Sequence, residues 1–143
     1  MDALSRKAHC LAMESPNDRG GNARPLLSVV DDDESVRESL PDLLKEFGFA
    51  ARAFSSAQEF LSSGCLTETS CLILDISMPG MSGPELYQEL RRRGQDIPII
   101  FITGQRDETI RTRVLKQGTA GFLLKPFSDA ALLTAINMAL QAT

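Results

Sequence analysis

Cys71-Leu72-Ile73-Leu74-Asp75-Ile76-Ser77-Met78-Pro79-Gly80-Met81-Ser82-Gly83 is the stretch that decides how this chain folds. An apolar run ends in a carboxylate, and a proline- and glycine-rich turn follows at once. A lone acid rarely closes a buried strand, because burying an unpaired carboxylate is costly. Other apolar runs end in the same manner: 26–30 leads into Asp31-Asp32-Asp33, 97–102 into Thr103, and 121–124 into Lys125-Pro126. An acid cluster, a further acid, a hydroxyl and an ammonium therefore stand at the carboxyl ends of short strands. That is the pattern of a site.

Helical signals fill the gaps between these strands. Val36, Leu40, Leu43, Leu44 and Phe47 share one face of a helix near 34–47, which Gly48 stops. A short strand over 50–54 is followed by Ser55-x-x-Gln58, a capping-box start for a helix reaching Leu61. After the strand at 71–74, Ser82-x-x-Glu85 opens a helix that runs to Gly94, with Pro84 in its first turn. A helix near 108–117 ends at Gly118, and Ser128 caps a last helix carrying Leu132, Leu133, Ile136, Ala139 and Leu140. Pro41 breaks the pattern, since a proline inside a helix removes an N–H and crowds the preceding turn. A kink or a shorter first helix is expected there.

Alternating strands and helices predict a parallel sheet covered on both faces, and near-continuous apolar strands agree with burial on both sides. In open sheets of this class, ligands bind beyond the carboxyl ends of the strands. The polar strand ends stand at that edge.

Size and composition bound the function. At 143 residues the chain fits one domain, and 43% hydrophobic with 24% charged residues is ordinary for a soluble protein. A net charge of −4 gives no reason to expect direct nucleic-acid binding, and no apolar run is long enough for a membrane span. Residues 1–24 are polar and rich in turn formers, so a disordered tail is expected, with the ordered domain over 25–143. His9 lies in that tail, which removes histidine chemistry from the domain. Cys10, Cys65 and Cys71 lack CxxC spacing and are expected to be reduced thiols in a cytoplasmic protein.

Acids from adjacent strands repel one another unless a hard divalent cation sits among them, and Mg2+ favours a few carboxylates, waters and phosphate oxygens. A carboxylate beside such a metal can attack phosphorus to give an acyl phosphate. Lys125 can offer a point charge to the same phosphate oxygens, and Thr103 a hydroxyl hydrogen bond. Asp33 reads more simply as a helix N-cap than as a further ligand. Arg91-Arg92-Arg93 closes a helix, where cations complement the macrodipole. Arg106, Arg111 and Arg113 fit an ordinary solvated helix face.

Val29-Val30-Asp31-Asp32-Asp33, Leu72 to Gly83, Ile100-Phe101-Ile102-Thr103-Gly104 and Gly121-Phe122-Leu123-Leu124-Lys125-Pro126-Phe127 together resemble the receiver domain of bacterial two-component response regulators. The likeness covers roughly 26–141 and is nearest to FixJ/NarL-type receivers of the CheY-like superfamily. It implies a doubly wound, flavodoxin-like (βα)5 fold with strand order 2-1-3-4-5. It also implies that Asp75 accepts a phosphoryl group from a sensor histidine kinase or a histidine phosphotransfer protein. Asp31, Asp32, Asp75 and the backbone carbonyl of Ser77 would hold Mg2+ (or Mn2+), with Asp32 the more direct of the acid pair. Lys125 would contact the phosphoryl group, and the Lys125–Pro126 bond would be cis. Thr103 would turn inward on phosphorylation, and Phe122 takes the place of a rotating aromatic. Ser77 and Gln105 occupy positions that tune dephosphorylation.

The resemblance further implies a phospho-acceptor with self-catalysed phosphotransfer and slow autodephosphorylation, not an enzyme acting on a separate substrate. Its output would pass through the fourth helix, fifth strand and fifth helix to a downstream protein or to a second, phosphorylated copy. The chain ends with its last receiver helix, so no output domain is expected on it. Alternatives are a phosphorylation-independent interaction module and the receiver fragment of a DNA-binding transcriptional regulator. An aspartyl-nucleophile phosphatase would carry an acid where Ser77 stands, and no GxxxxGK loop supports nucleotide hydrolysis.

Overall fold

The computed structural model describes residues 24–76, 78–104, 112 and 121–141. Strands β1 (Leu26–Val30), β2 (Ala50–Phe54), β3 (Thr69–Asp75), β4 (Ile99–Thr103) and β5 (Gly121–Leu124) form one sheet in the order β2-β1-β3-β4-β5. Every pairing is parallel. Helices α1 (Glu34–Glu46), α2 (Ala57–Leu61), α3 (Gly83–Arg92) and α4 (Asp129–Gln141) pack on it, and a 3-10 turn covers Leu66–Glu68. The expected helix over 108–117 lies outside the described residues except Thr112, which is helical. The expected tail lies outside them almost entirely.

Strand alternation sends successive side chains to opposite faces, and both faces are filled. Leu26, Val30, Leu72, Leu74, Ile99 and Phe101 pack with residues of α2 and α3. Leu27, Val29, Cys71, Ile73, Ile100 and Ile102 pack with α1 and α4 on the other side. Tyr87 of α3 meets Phe101 edge-on, with ring centroids 6.4 Å apart. The connection from β1 to β2 runs one way and the chain then crosses back over β1 to β3. The carboxyl ends of β1 and β3 therefore flank the switch in strand order, where such sheets open a crevice.

Local signals and structure agree in most places. Gly48 and Gly94 follow α1 and α3 with φ of 100° and 77°, a conformation that favours glycine. Ser82 and Glu85 form the expected capping box, and the Ala131 N–H donates to Ser128 Oγ at 3.0 Å. The start of α2 is a correction: Ser56, not Ser55, is its N-cap, accepting from the Glu59 N–H, while the Ser55 N–H and hydroxyl donate to the Glu59 carboxylate. Tandem serines offer two registers, and the helix takes the one that buries Ala57 and Phe60. Strand β3 starts earlier than expected, at Thr69, with a register shift against Leu26 and Leu27. There the Thr69 hydroxyl donates to the Cys65 carbonyl and shares a 2.7 Å hydrogen bond with the Ser28 hydroxyl.

Pro41 does not shorten α1, which runs 13 residues through it. Leu40 and Leu44 are buried on either side of the proline, so tertiary packing outweighs its local cost. Cys65 is disulfide-bonded, which corrects the expectation of three reduced thiols. Cys71 is free and buried, and burial pushes its thiol up to about 12.

Candidate functional site

Register places the acids together. Val30 pairs with Leu74, so Asp31 and Asp75 leave adjacent strands at the same height. Asp31 is fully buried, Asp75 is 6% exposed and Asp32 is exposed. One carboxylate oxygen from each of the three lies within 4.8 Å of the others. This hard-oxygen donor set, at the carboxyl ends of β1 and β3, fits a small divalent cation.

Asp31 is held from every direction. Its Oδ1 accepts the Asp33 N–H at 2.9 Å, and its Oδ2 accepts Lys125 Nζ at 2.9 Å. Its own N–H donates to the Phe54 carbonyl, and its carbonyl accepts from Arg37 Nη1 at 3.1 Å. Lys125 reaches Asp31 from the end of β5, where its N–H donates to the Thr103 carbonyl at 2.7 Å. Partial burial pulls the Lys125 ammonium down, but the hydrogen bond to Asp31 and the charges of Asp31, Asp75 and Asp33 outweigh it. Its pKa consequently stands above the ordinary lysine value. The Lys125–Pro126 peptide is cis, as the resemblance implied.

Thr103 is buried at the end of β4, paired in register with Leu124, and Phe122 is half-buried against the α2 and α3 face. Ser77 and Gln105 lie outside the described residues, as do Arg106, Arg111 and Arg113. Asp33 is the N-cap of α1, accepting the Ser35 N–H at 2.9 Å. The arginine run at the end of α3 is engaged locally: Arg92 and Arg93 pair with Glu89, and Arg91 lies over the Tyr87 ring at 5.8 Å. Among the described residues no helix is long and apolar enough to cross a membrane.

Two neighbours of the site were not anticipated from sequence. Arg37 binds the Asp31 carbonyl, and the Gln58 amide lies within 4 Å of where a side chain on Gly80 would begin. The first was traceable: with Asp33 as N-cap, Arg37 falls one turn into α1, above the β1–α1 corner. The second depends on how α2 lies over the loop after β3, which no local pattern encodes.

Fold and site together define a doubly wound α/β domain with an acid cluster at its switch point. The family model "Response regulator receiver domain" matches residues 27–137, and the chain belongs to that family. It is similar to the "Transcriptional regulatory protein FixJ" of Azorhizobium caulinodans, 43% identical over 78% of this chain and 53% of that protein. It is likewise 43% identical to "Nodulation protein W" of Bradyrhizobium diazoefficiens, over 84% of this chain and 53% of that protein. Among solved structures, the response regulator StyR superposes with a TM-score of 0.77 at 46% identity, covering 84% of this chain and 61% of that one. The FixJ-N structure gives 0.76 at 35% identity, over 85% and 98% of the two chains. The chain spans about half the length of the curated relatives it matches.

Proposed function

We propose that this domain is a phosphorylation switch whose acceptor is Asp75. A carboxylate oxygen of Asp75 forms a bond to phosphorus as the N–P bond of a phosphohistidine breaks. The bonding pair passes to the imidazole nitrogen, which takes up a proton. The donor is a sensor histidine kinase or a histidine phosphotransfer protein. Asp31, Asp32 and Asp75, with the Ser77 carbonyl that the resemblance adds, would hold Mg2+ (or Mn2+), which when bound would supply neutralising charge for phosphoryl oxygens. Lys125 serves the same oxygens, and Thr103 supplies a hydroxyl. The observation that carries this reading is the cluster of Asp31, Asp32 and Asp75 within 4.8 Å of one another, with Lys125 against it. Carboxylates gathered this closely, with an ammonium beside them, suit a hard divalent cation and the phosphoryl oxygens it would bring.

The protein turns over no separate substrate in this scheme. It catalyses its own phosphorylation and loses the phosphoryl group slowly. Movement of Thr103 towards the phosphate, with Phe122 changing rotamer, favours one arrangement of the face formed by the expected helix near 108–117, β5 and α4. That face then binds a downstream protein or a second copy, in the cytoplasm. A second reading has support in the relatives named transcriptional regulatory proteins, of which this chain spans about half. In it, the domain is the receiver part of a longer DNA-binding regulator. Intact-mass measurement after acetyl phosphate and Mg2+ tests the switch: one phosphoryl adduct forms, EDTA prevents it, and Asp75→Asn abolishes it. Absence of the adduct from wild-type protein with Mg2+ bound refutes it.

A further inference from the structure

We propose that Arg37 is a positioning residue for the cation site, acting through the main chain of Asp31. The proposal rests on the metal role given to Asp31 and Asp32 above. Arg37 is half-buried in the first turns of α1, and its Nη1 donates to the Asp31 carbonyl oxygen at 3.1 Å. That oxygen belongs to the peptide unit joining Asp31 to Asp32. A peptide unit is planar, so holding its oxygen fixes the whole plane, including the N–H and Cα of Asp32. Asp32 is exposed and follows directly from that plane. Its carboxylate therefore inherits its direction from the corner that Arg37 clamps.

The rest of Asp31 is fixed by other groups. Lys125 and the Asp33 N–H hold its carboxylate, and Phe54 holds its N–H. Arg37 addresses the peptide that leads to Asp32, through its carbonyl oxygen. A guanidinium suits the task, because its planar, permanently charged fork reaches a carbonyl from a helix without losing its proton. Charge and positioning have opposite consequences here. As a nearby cation, Arg37 repels a metal ion, so its removal would tighten binding through charge alone. As a clamp, its removal weakens binding, since loss of a group that orients a metal ligand costs about tenfold or more in affinity. The indirect route through the main chain puts the expected effect near the low end of that range, about tenfold.

Mn2+ binding followed by the electron paramagnetic resonance of free Mn2+, with Mg2+ as competitor, separates these cases. Arg37→Met keeps an apolar stem and removes both charge and donor. It is expected to bind Mn2+ about tenfold more weakly than wild type, while Asp33 N–H exchange in metal-free protein quickens as the corner loosens. Should that variant not fold, Arg37→Gln takes its place with the same expectation. Unchanged or tighter Mn2+ binding in a folded variant overturns the proposal, whatever its melting temperature. Wild-type protein that binds no Mn2+ overturns the reading of the acid cluster, and with it any role for Arg37.

Discussion

Gly83→Ala tests how closely β3 and α3 are packed. Gly83 is the first residue of α3, and its N–H donates to the Ile76 carbonyl at 3.0 Å. A Cβ there would stand 2.5 Å from the Asp75 carbonyl oxygen, 3.0 Å from Ile76 Cα and 3.1 Å from Phe101 Cε1. Two effects compete. Alanine is favoured over glycine within helices by up to about 1 kcal/mol. Against this, two of the three close atoms are backbone and the third is a buried ring, so none can swing aside. Overpacking of this kind costs about 1–3 kcal/mol, occasionally more. The clash prevails, for a net loss of roughly 1–2 kcal/mol and a fall in Tm of about 4–10 °C.

The same displacement moves the main chain of Asp75 by a fraction of an ångström or more. Misplacing a reacting group by about 1 Å can lower a rate by about 100-fold. Acetyl phosphate labelling is therefore expected to slow by at least about tenfold. Thermal melts followed by circular dichroism and intact-mass time courses measure the two effects. Gly104→Ala is the control, because no atom of the described residues lies within 4 Å of where a Gly104 side chain would begin, and its φ is not positive. A Gly83→Ala protein as stable and as quickly labelled as the Gly104→Ala protein would refute the packing argument.

Other substitutions probe the electrostatics and the caps. Lys125→Ala removes the ion-pair partner of the fully buried Asp31 carboxylate, and the one-quarter exposure of Lys125 moderates the loss to about 1–3 kcal/mol. Urea midpoints should show that loss, and saturating Mg2+ should recover more stability in the variant than it adds to wild type; equal midpoints without metal would count against the pair. Asp33→Ala removes the α1 N-cap and is expected to cost about 1 kcal/mol while leaving Mg2+ binding in place; loss of Mg2+ binding would make Asp33 a ligand. Burial holds the Cys71 thiol at about 12, above its unfolded value. The unfolded chain therefore gives up that proton first, and the thiol's contribution to stability, complete below the unfolded pKa, declines from about pH 8.5 upwards. Denaturant melts across alkaline pH should show this slope shrink in Cys71→Ala, and an unchanged slope would contradict it.

The strand and helix order was legible because each element carries its own signal. Apolar runs marked β1, β2 and β5 to their observed bounds, and Gly48, Gly94, Ser82 and Ser128 marked helix ends. The acids, hydroxyl and lysine were legible for a related reason, since parallel strands bring every strand end to one edge. Errors fell where neighbours compete. Ser55 and Ser56 could each cap α2, and only the burial of Phe60 chose between them. Pro41 is a helix breaker by local rules, yet α1 continues because Leu40 and Leu44 are fixed in the core.

The sequence by itself determined the residue types at the strand ends and the parallel, two-faced sheet that gathers them, because hydrophobic period and turn chemistry are local properties. Only the tertiary structure decided which groups meet. Lys125 settles on Asp31 across 94 positions of chain, Gly83 is required by contact with Asp75 and Phe101 and not by its φ, and Arg37 turns back onto the peptide before Asp32. Those pairings depend on strand register and on how helices lie over the sheet, distances that no stretch of sequence contains.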